Sequence, residues 1–421
     1  MAEIQPLRAL RYDLRTVRSL DAVMAPPYDV IDARMRAELA ARSPFNVVEI
    51  DLPEATGGGD PYLHAQTTFD AWRQQGVLVH EREPALWPAT QRFAGPDGAP
   101  TLRSGFFCRV RVEDYGPGRI RPHERTQPGP KENRLRLTRA TRANLSPIFS
   151  LFPDAAGEAW SALEPATAED PFGSATDSDG TVTTVWRCTD PAIIDSVRAT
   201  LADRELLIAD GHHRYETARV YADEVGGEGE HRYTLMFLCS MSDPGLEVRP
   251  THRLIRDLDD ERRRALSDAI AASFDAMAVP MSELSPQPDA DGSVQFGYLP
   301  AATREPTRLT LRDPATADIA LDGKPAPYRR LDTAVLEAVI LRDALGLTED
   351  DIARQHGVTY AKSVREAEAA VESGAADAAF LLRPTPIDLV REVAQAGMPM
   401  PPKSTFFFPK IPTGLLFNPL E

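Results

Sequence analysis

The 421-residue chain is 42% hydrophobic and 26% charged, an ordinary balance for a globular protein long enough to bury a large core, as two domains or one with a substantial accessory part. Its net charge of -16 disfavours general nucleic-acid binding, which needs a positive footprint. No run reaches the length of a membrane span, residues 1–8 carry no apolar signal core, and Cys108, Cys188 and Cys239 are too scattered for a disulfide framework or a metal-ligand spacing, so the cytoplasm is expected.

Taken in order, Leu7, Leu10 and Leu14 are too sparse to force a helix, and residues 1–24 read as an extended lead-in. Pro26 and Pro27 stiffen a turn that presents Tyr28 and Asp29, after which Asp32 caps a helix over residues 34–42. Asp29 either faces a ligand or belongs only to the helix entry. Residues 45–52 alternate loosely and predict a strand. The loop at 56–61 contains three glycines but no Gly-Lys-Ser/Thr, so it is not a P-loop. An amphipathic helix follows over 62–75, then two strands, 86–93 and 102–112, joined by a hairpin at 94–100.

Residues 120–134 set His123, Glu124, Thr126 and Lys131 on a Pro/Gly-stiffened loop ahead of a helix at 132–143. From Arg119 to Arg142 eight Lys/Arg residues face two acids, Glu124 and Glu132. This basic island either receives a polyanion or forms a solvated helix face. Glu124 is the candidate general base and His123 its orienting partner or a phosphate contact; the plainer alternative is a surface Glu–Arg pair. The chain has only five lysines among 47 basic residues. Three of them, Lys131, Lys403 and Lys410, sit in stiff loops, where a compact point charge suits phosphate. Arg134 joins them as a phosphate contact.

A turn and short strand are expected at 144–149, an acidic helix and surface loop at 153–180, a strand at 181–188 and a helix at 190–204. Next comes a buried strand at 206–209, a turn at Asp210-Gly211, and a helix opening near Arg214, with Asp210 as its cap. His212, His213 and Arg214 then lie where the helix dipole favours an anion, and the unit reads as a phosphate cradle. Its bland alternative is a structural His pair on a common strand–turn–helix. Residues 232–241 predict a central strand buried on both faces. His252 and Arg253 at a strand end would complete the anion site. Beyond residue 256 the pattern gives a helix at 257–274, a loop at 285–292, strands at 294–299, 308–311, 317–321 and 378–382, and helices at 332–345, 348–355, 364–373 and 387–395. Residues 400–417 are too aromatic to stay exposed. They are expected to pack back on the core and carry Lys403, Ser404, Thr405 and Lys410 to the site.

Asp210-Gly211-His212-His213-Arg214, followed by Ala218, resembles the nucleotide-phosphate motif of the ParB/sulfiredoxin-like superfamily, and within it is similar to the free-serine kinases. Five further segments, at 26–31, 123–126, 144–149, 250–253 and 403–410, resemble a large bacterial and archaeal family known only as domain of unknown function 1015. The fold class is accordingly read as α/β with mixed sheets and α+β character: a ParB/sulfiredoxin-like nucleotide-binding core in an N-terminal domain (1–255), a C-terminal α/β domain (256–400), and a segment (401–421) packing back on the core. The resemblance implies that Asp210, Gly211, His212, His213 and Arg214 hold the phosphates of a nucleotide, ATP or ADP, with Mg as an admissible companion ion. Lys131, Arg134, Arg253, Lys403, Ser404 and Thr405 would complete that site, and Glu124, His123, Asp210 and His213 would carry the chemistry. The expected activity is phosphoryl transfer to a small hydroxylated metabolite, serine or phosphoserine foremost. A phosphoserine phosphatase-type hydrolase is the close neighbour. A non-catalytic ParB-like nucleotide switch is opposed by the acidic charge and the lack of a helix-turn-helix. A metal hydrolase using His212, His213, His123 and Asp210 is opposed by the lack of a ligand-pair spacing, and no metal site is expected. The expected partner is a small-molecule substrate, without membrane or nucleic acid; a homodimer is compatible with the sequence.

Overall fold

The computed structural model describes residues 2–55, 58–96, 98–126, 128–287 and 293–421. The expected loops at 56–61, 94–100 and 285–292, and the segment at 120–134, therefore lie partly outside the described residues. The chain divides into two compact units. The first comprises Met1–Pro122, Thr126–Glu247 and Pro409–Glu421, the second His123–Arg125 and Val248–Phe408.

The first unit is built on a nine-stranded mixed sheet. Its strands are β1 (Ile4–Gln5), β2 (Trp87–Ala94), β3 (Pro100–Arg111), β4 (Ile120–Arg121), β5 (Ile148–Phe152), β6 (Gly173–Thr176), β7 (Val182–Val185), β8 (Leu206–Asp210) and β9 (Tyr233–Ser240). They run in the order β4-β8-β5-β9-β3-β2-β7-β6, with β1 paired to β3. β8 with β4 and β9 with β5 are parallel pairs. β9 lies between β5 and β3 with Thr234 to Cys239 buried, as an unbroken apolar run requires of a strand covered on both faces.

Four helices matter to the site or its support: α1 (Val48–Asp51), α2 (Pro128–Thr141), α3 (Pro191–Leu201) and α4 (His212–Val225). α3 shows how locally the sequence speaks. Asp190 accepts from the Ala192 N–H at 2.8 Å, Pro191 occupies the first turn, and Ile194, Val197 and Leu201 form one buried stripe. The last residues of the chain belong to this unit: Thr413 bridges to Ala25, Phe417 to Leu10, and Asn418–Pro419 pairs with Ala143–Asn144.

The second unit carries a six-stranded antiparallel sheet in the order Phe274–Ala278, Thr307–Leu311, Gln295–Pro300, Ala378–Leu381, His252–Ile255, Val358–Ala361. The helix expected at 332–345 begins as Asp332–Val335 and continues as a π-helix over Leu336–Ala344.

The α/β class with mixed sheets thus holds, and two expected strands prove helical. At 45–52 the chain forms α1, because the Asn46 side chain accepts from the Val48 N–H (3.1 Å) and donates to the Ala22 and Met24 carbonyls (2.9 and 3.2 Å). That local capping turns a loosely alternating stretch into a helical turn. At 317–321 the helix Pro314–Ala320 forms, started by Asp313 accepting from Ala315 N–H at 2.9 Å, with Pro314 in its first turn. Strands not foreseen include β4, β6, Leu78–His80, Phe274–Ala278 and Val358–Ala361. Among the described residues no helix is long and apolar enough to cross a membrane, and no group of three or more His, Cys, Asp or Glu side chains is disposed to hold a metal ion.

Candidate functional site

The β8–α4 turn is the centre of the first unit's site. β8 is buried along Leu206–Ala209, and its register against β5 shifts between Ile208 and Asp210. Such a bulge re-aims the next side chain. Gly211 then takes φ 97°, in the left-handed region that costs a side-chain-bearing residue strain. A Cβ there would lie 2.9 Å from Arg214 Nε and 3.0 Å from its Cζ, so the glycine also makes room for the guanidinium.

The expected cap differs in the structure. The helix opens at His212, two residues before Arg214, and its N-cap is Gly211, with no side-chain cap bond. The Asp210 carboxylate is engaged instead by two cations, Lys410 Nζ on Oδ1 and Arg214 Nη2 on Oδ2. All three side chains are largely buried, with 14%, 19% and 10% of the Asp210, Lys410 and Arg214 side chains exposed. Burial alone would push the Asp210 carboxyl up, but Lys410 and Arg214 outweigh it and hold the group well below the usual carboxylate range. Arg214 is fixed further by Ser146 Oγ at 2.7 Å and the Pro147 carbonyl, and Thr413 Oγ1 meets Ser146 Oγ at 2.9 Å.

Beside this cluster lies a cavity of about 40 Å³ whose walls include Asp51, Arg134, Asn144, Ser146, Arg214 and Thr217. Two buried donors, Arg214 Nε and Thr217 Oγ1, have no hydrogen-bond partner among the described residues. The cavity's volume suits a few waters. Arg134, expected to contact phosphate, is 6% exposed; it pairs with Asp51 at 2.9 Å, donates to Asn133 Oδ1 and lies 4.2 Å from the Tyr28 ring centroid. Burial pushes the Asp51 carboxyl up, and Arg134 and Arg214 offset only part of that.

The basic island is consumed by pairing. Its seven arginines, 119, 121, 125, 134, 136, 139 and 142, meet Glu113, Glu205, Glu349, Asp51, Asp60, Glu224 and Glu421 respectively. Of the two readings offered for it, a charged surface neutralised locally describes it better than a polyanion platform. Lys131 sits half-buried on α2.

The remaining candidates belong to the second unit. His123 is buried, with Nε2 2.8 Å from Thr405 Oγ1, and Glu124 follows it in an irregular segment, half-buried. Arg253 is 4% exposed and donates to the carbonyls of Thr251, Pro402 and Lys403. Ser404 is 2% exposed and held by the Pro401 carbonyl at 2.7 Å and Thr333 Oγ1 at 3.0 Å. Arg253, Ser404 and Thr405 therefore serve the seating of 401–405, whereas Lys403 stays exposed. His252 is buried and its Nδ1 accepts from Leu382 N–H; burial and Arg253 push its pKa down to about 4, so it is a neutral acceptor. Burial likewise pushes the Cys108 and Cys239 thiols up, away from nucleophilic use.

The first unit thus brings together Asp210, Gly211, His212, Arg214 and Lys410, with His213 half-exposed on the same helical turn. Sequence reasoning missed Asp51 and Ser146. Ser146 stood inside a matched segment with no cue to its partner, and Asp51 was read as the end of a strand. Lys410 was placed on the returning segment without its partner, Asp210.

Strand, left-handed glycine and helix, with two cations converging on one buried carboxylate at the helix N-terminus, mark the candidate site of an α/β protein. The chain belongs to the family described as "Protein of unknown function (DUF1015)", which it matches over residues 4–334. No curated protein matches it. Among solved structures it is similar to a conserved hypothetical protein from Pyrococcus furiosus at 14% identity and a TM-score of 0.37, covering 74% of this chain and 94% of that one. It is also similar to a free serine kinase in complex with AMP (12% identity, TM-score 0.40, 75% and 91% covered) and to SbnI with a C-terminal truncation from Staphylococcus aureus (10%, 0.36, 74% and 86%). Similarities this low define neither activity nor ligand for this chain.

Proposed function

We propose that this protein is a phosphoryl-transfer enzyme acting on a small hydroxylated metabolite, serine or phosphoserine foremost, and that a nucleotide, ATP or ADP, seats its phosphates at the Asp210–Arg214 turn. One observation carries the reading. Two cations meet one carboxylate at the start of a 14-residue helix, and their sum leaves a net positive charge where the helix dipole already favours an anion. Phosphoryl transfer asks chiefly for positioning and charge neutralisation of that kind. Asp210 in this reading orders the cations and does not touch phosphate. Glu124 remains the proposed proton acceptor on chemical grounds, since an ionised carboxylate can take the proton of a hydroxyl, with His123 next to it in sequence. Mg enters the reading only as the nucleotide's companion. The three buried free cysteines suit a reducing compartment, and we place the protein in the cytoplasm.

Calorimetric titration with ATP and ADP tests the turn. Replacing Lys410 by Ala should weaken nucleotide affinity about tenfold or more, the worth of one charge-assisted contact. A phosphate-transfer assay with serine plus ATP, and with phosphoserine alone, separates kinase from phosphatase. Glu124→Gln should abolish turnover and leave nucleotide affinity intact. Absence of nucleotide binding by the unmodified protein would remove the proposal.

A further inference from the structure

Arg103, on β3, is fully buried at 0% exposure, an uncommon place for a residue that is always charged. Its guanidinium lies 4.6 Å from the Phe149 ring centroid, and its Nε meets Gln91 Oε1 at 3.1 Å. Gln91 is its direct cross-strand partner on β2. Arg103 Nη2 donates to the Pro409 carbonyl, and Gln91 Nε2 donates to the Lys410 carbonyl at 3.1 Å. One cross-strand pair therefore grips two consecutive carbonyls of the segment that carries Lys410.

We propose that Arg103 and Gln91 form a positioning clamp that fixes the Lys410 backbone so that its ammonium lands on Asp210, completing the anion-receptive turn from the far end of the chain. The proposal deepens the reading of that turn as a phosphate site and rests on it for its functional meaning. The physical case is one of cost. An apolar residue would fill a sheet interior more cheaply than a buried cation. What an apolar residue cannot do is bond a carbonyl that enters the core, and such a carbonyl left unpaired is costly. Lysine also has a long, rotamer-rich stem, so its charge is well placed only if its own Cα is held. Lys410 has that hold twice, at its own carbonyl and at the one before it.

The competing idea is that the clamp merely anchors the segment. Two readouts separate them. The first is the rate at which acetic anhydride acetylates Lys410, followed by mass spectrometry with exposed Lys362 as internal reference; with five lysines in the chain the assignment is direct. Acetic anhydride attacks the neutral amine, and a carboxylate beside the ammonium keeps it protonated, so Gln91→Ala and Arg103→Lys should each raise Lys410 labelling about tenfold, the effect of about one unit of pKa. Gln91→Ala covers the case in which the arginine variant does not fold. The second is a double-mutant cycle on ADP affinity. Gln91→Ala should weaken binding in the normal background and cost nothing further once Lys410 is Ala. Unchanged Lys410 labelling overturns the clamp, and so do additive losses in the cycle. If the unmodified protein binds no ADP, the phosphate reading fails, while the labelling result still decides whether Arg103 and Gln91 place Lys410.

Discussion

Each unit buries an aspartate against an arginine, and the two pairs behave in opposite ways. In the second unit Asp332 meets Arg383 through bonds of 2.6 and 3.1 Å, with both side chains about nine-tenths buried. Burial nevertheless wins, and the Asp332 carboxyl is pushed up to about 6. In the first unit Asp210 is similarly buried but has Arg214 and Lys410, and its carboxyl is held below the ordinary range. At Asp332 one cation does not offset the desolvation of the carboxylate; at Asp210 two cations bonded directly to its oxygens more than offset it. The Asp332 pair sums to zero and braces the fold, with Arg383 also holding the Ser293 carbonyl. The Asp210 cluster sums to one positive charge, and that surplus is what the proposed phosphate site would use.

The largest expected effect is the removal of the shared carboxylate. Asp210→Ala strands two buried cations and should cost about 3–5 kcal/mol in urea unfolding, more than Asp332→Ala, which strands one. Equal costs would break the comparison. Next is pH. Asp332 has a folded pKa of about 6, above the roughly 3.9 of an unfolded aspartate, so its protonated form favours folding. That contribution is complete below about pH 4 and is lost as pH rises through 6, a change of roughly 3 kcal/mol. Asp210 runs the other way: its stabilisation is present above the unfolded pKa and fades only as pH falls through the depressed folded value. Asp332→Asn should therefore remove a decline in stability between pH 4 and 6 that the unmodified protein shows. An identical slope in the variant would count against the raised carboxyl. A smaller effect comes from Lys410→Met, which reduces the Asp210 cluster to a single cation. It should cost about 2 kcal/mol and move the Asp210 carboxyl upward in a carbon-13 NMR titration, towards the behaviour of Asp332. Smallest is Gly211→Ala, at roughly 1–2 kcal/mol from the left-handed backbone, with the Arg214 guanidinium displaced from its seat. If Gly211→Ala were neutral, the turn would not be holding Arg214 in place.

Local signals made much of the fold legible. The apolar runs of β8 and β9 and the Asp190-Pro191 start of α3 were read correctly because a strand or a cap depends on neighbours in sequence. Residues 45–52 failed because Asn46 spends its amide on the distant carbonyls of Ala22 and Met24, contacts that no periodicity reports. The glycine of the turn was legible from the strain it relieves. Asp210 was legible as a residue but not in its role, since nothing near it in sequence announces Lys410. The arginines at 119–142 looked like a basic surface because their acidic partners, from Asp51 to Glu421, lie outside the island. Electrostatic meaning resides in pairs, and long-range pairs are what one sequence conceals.

The reach from Asp210 to Lys410 spans 200 residues, and it sets a schedule. A ribosome adding about 5–20 residues each second takes on the order of 10–40 s to cover that distance. Through that interval Lys410 has not been made, and of the two cations that meet Asp210 in the complete chain Arg214 alone exists, the one-cation condition that leaves Asp332 poorly compensated. The cluster can acquire its surplus charge only once Lys410 has been made, so every residue of the strand, glycine and helix is synthesised long before the charge balance of their turn can be completed.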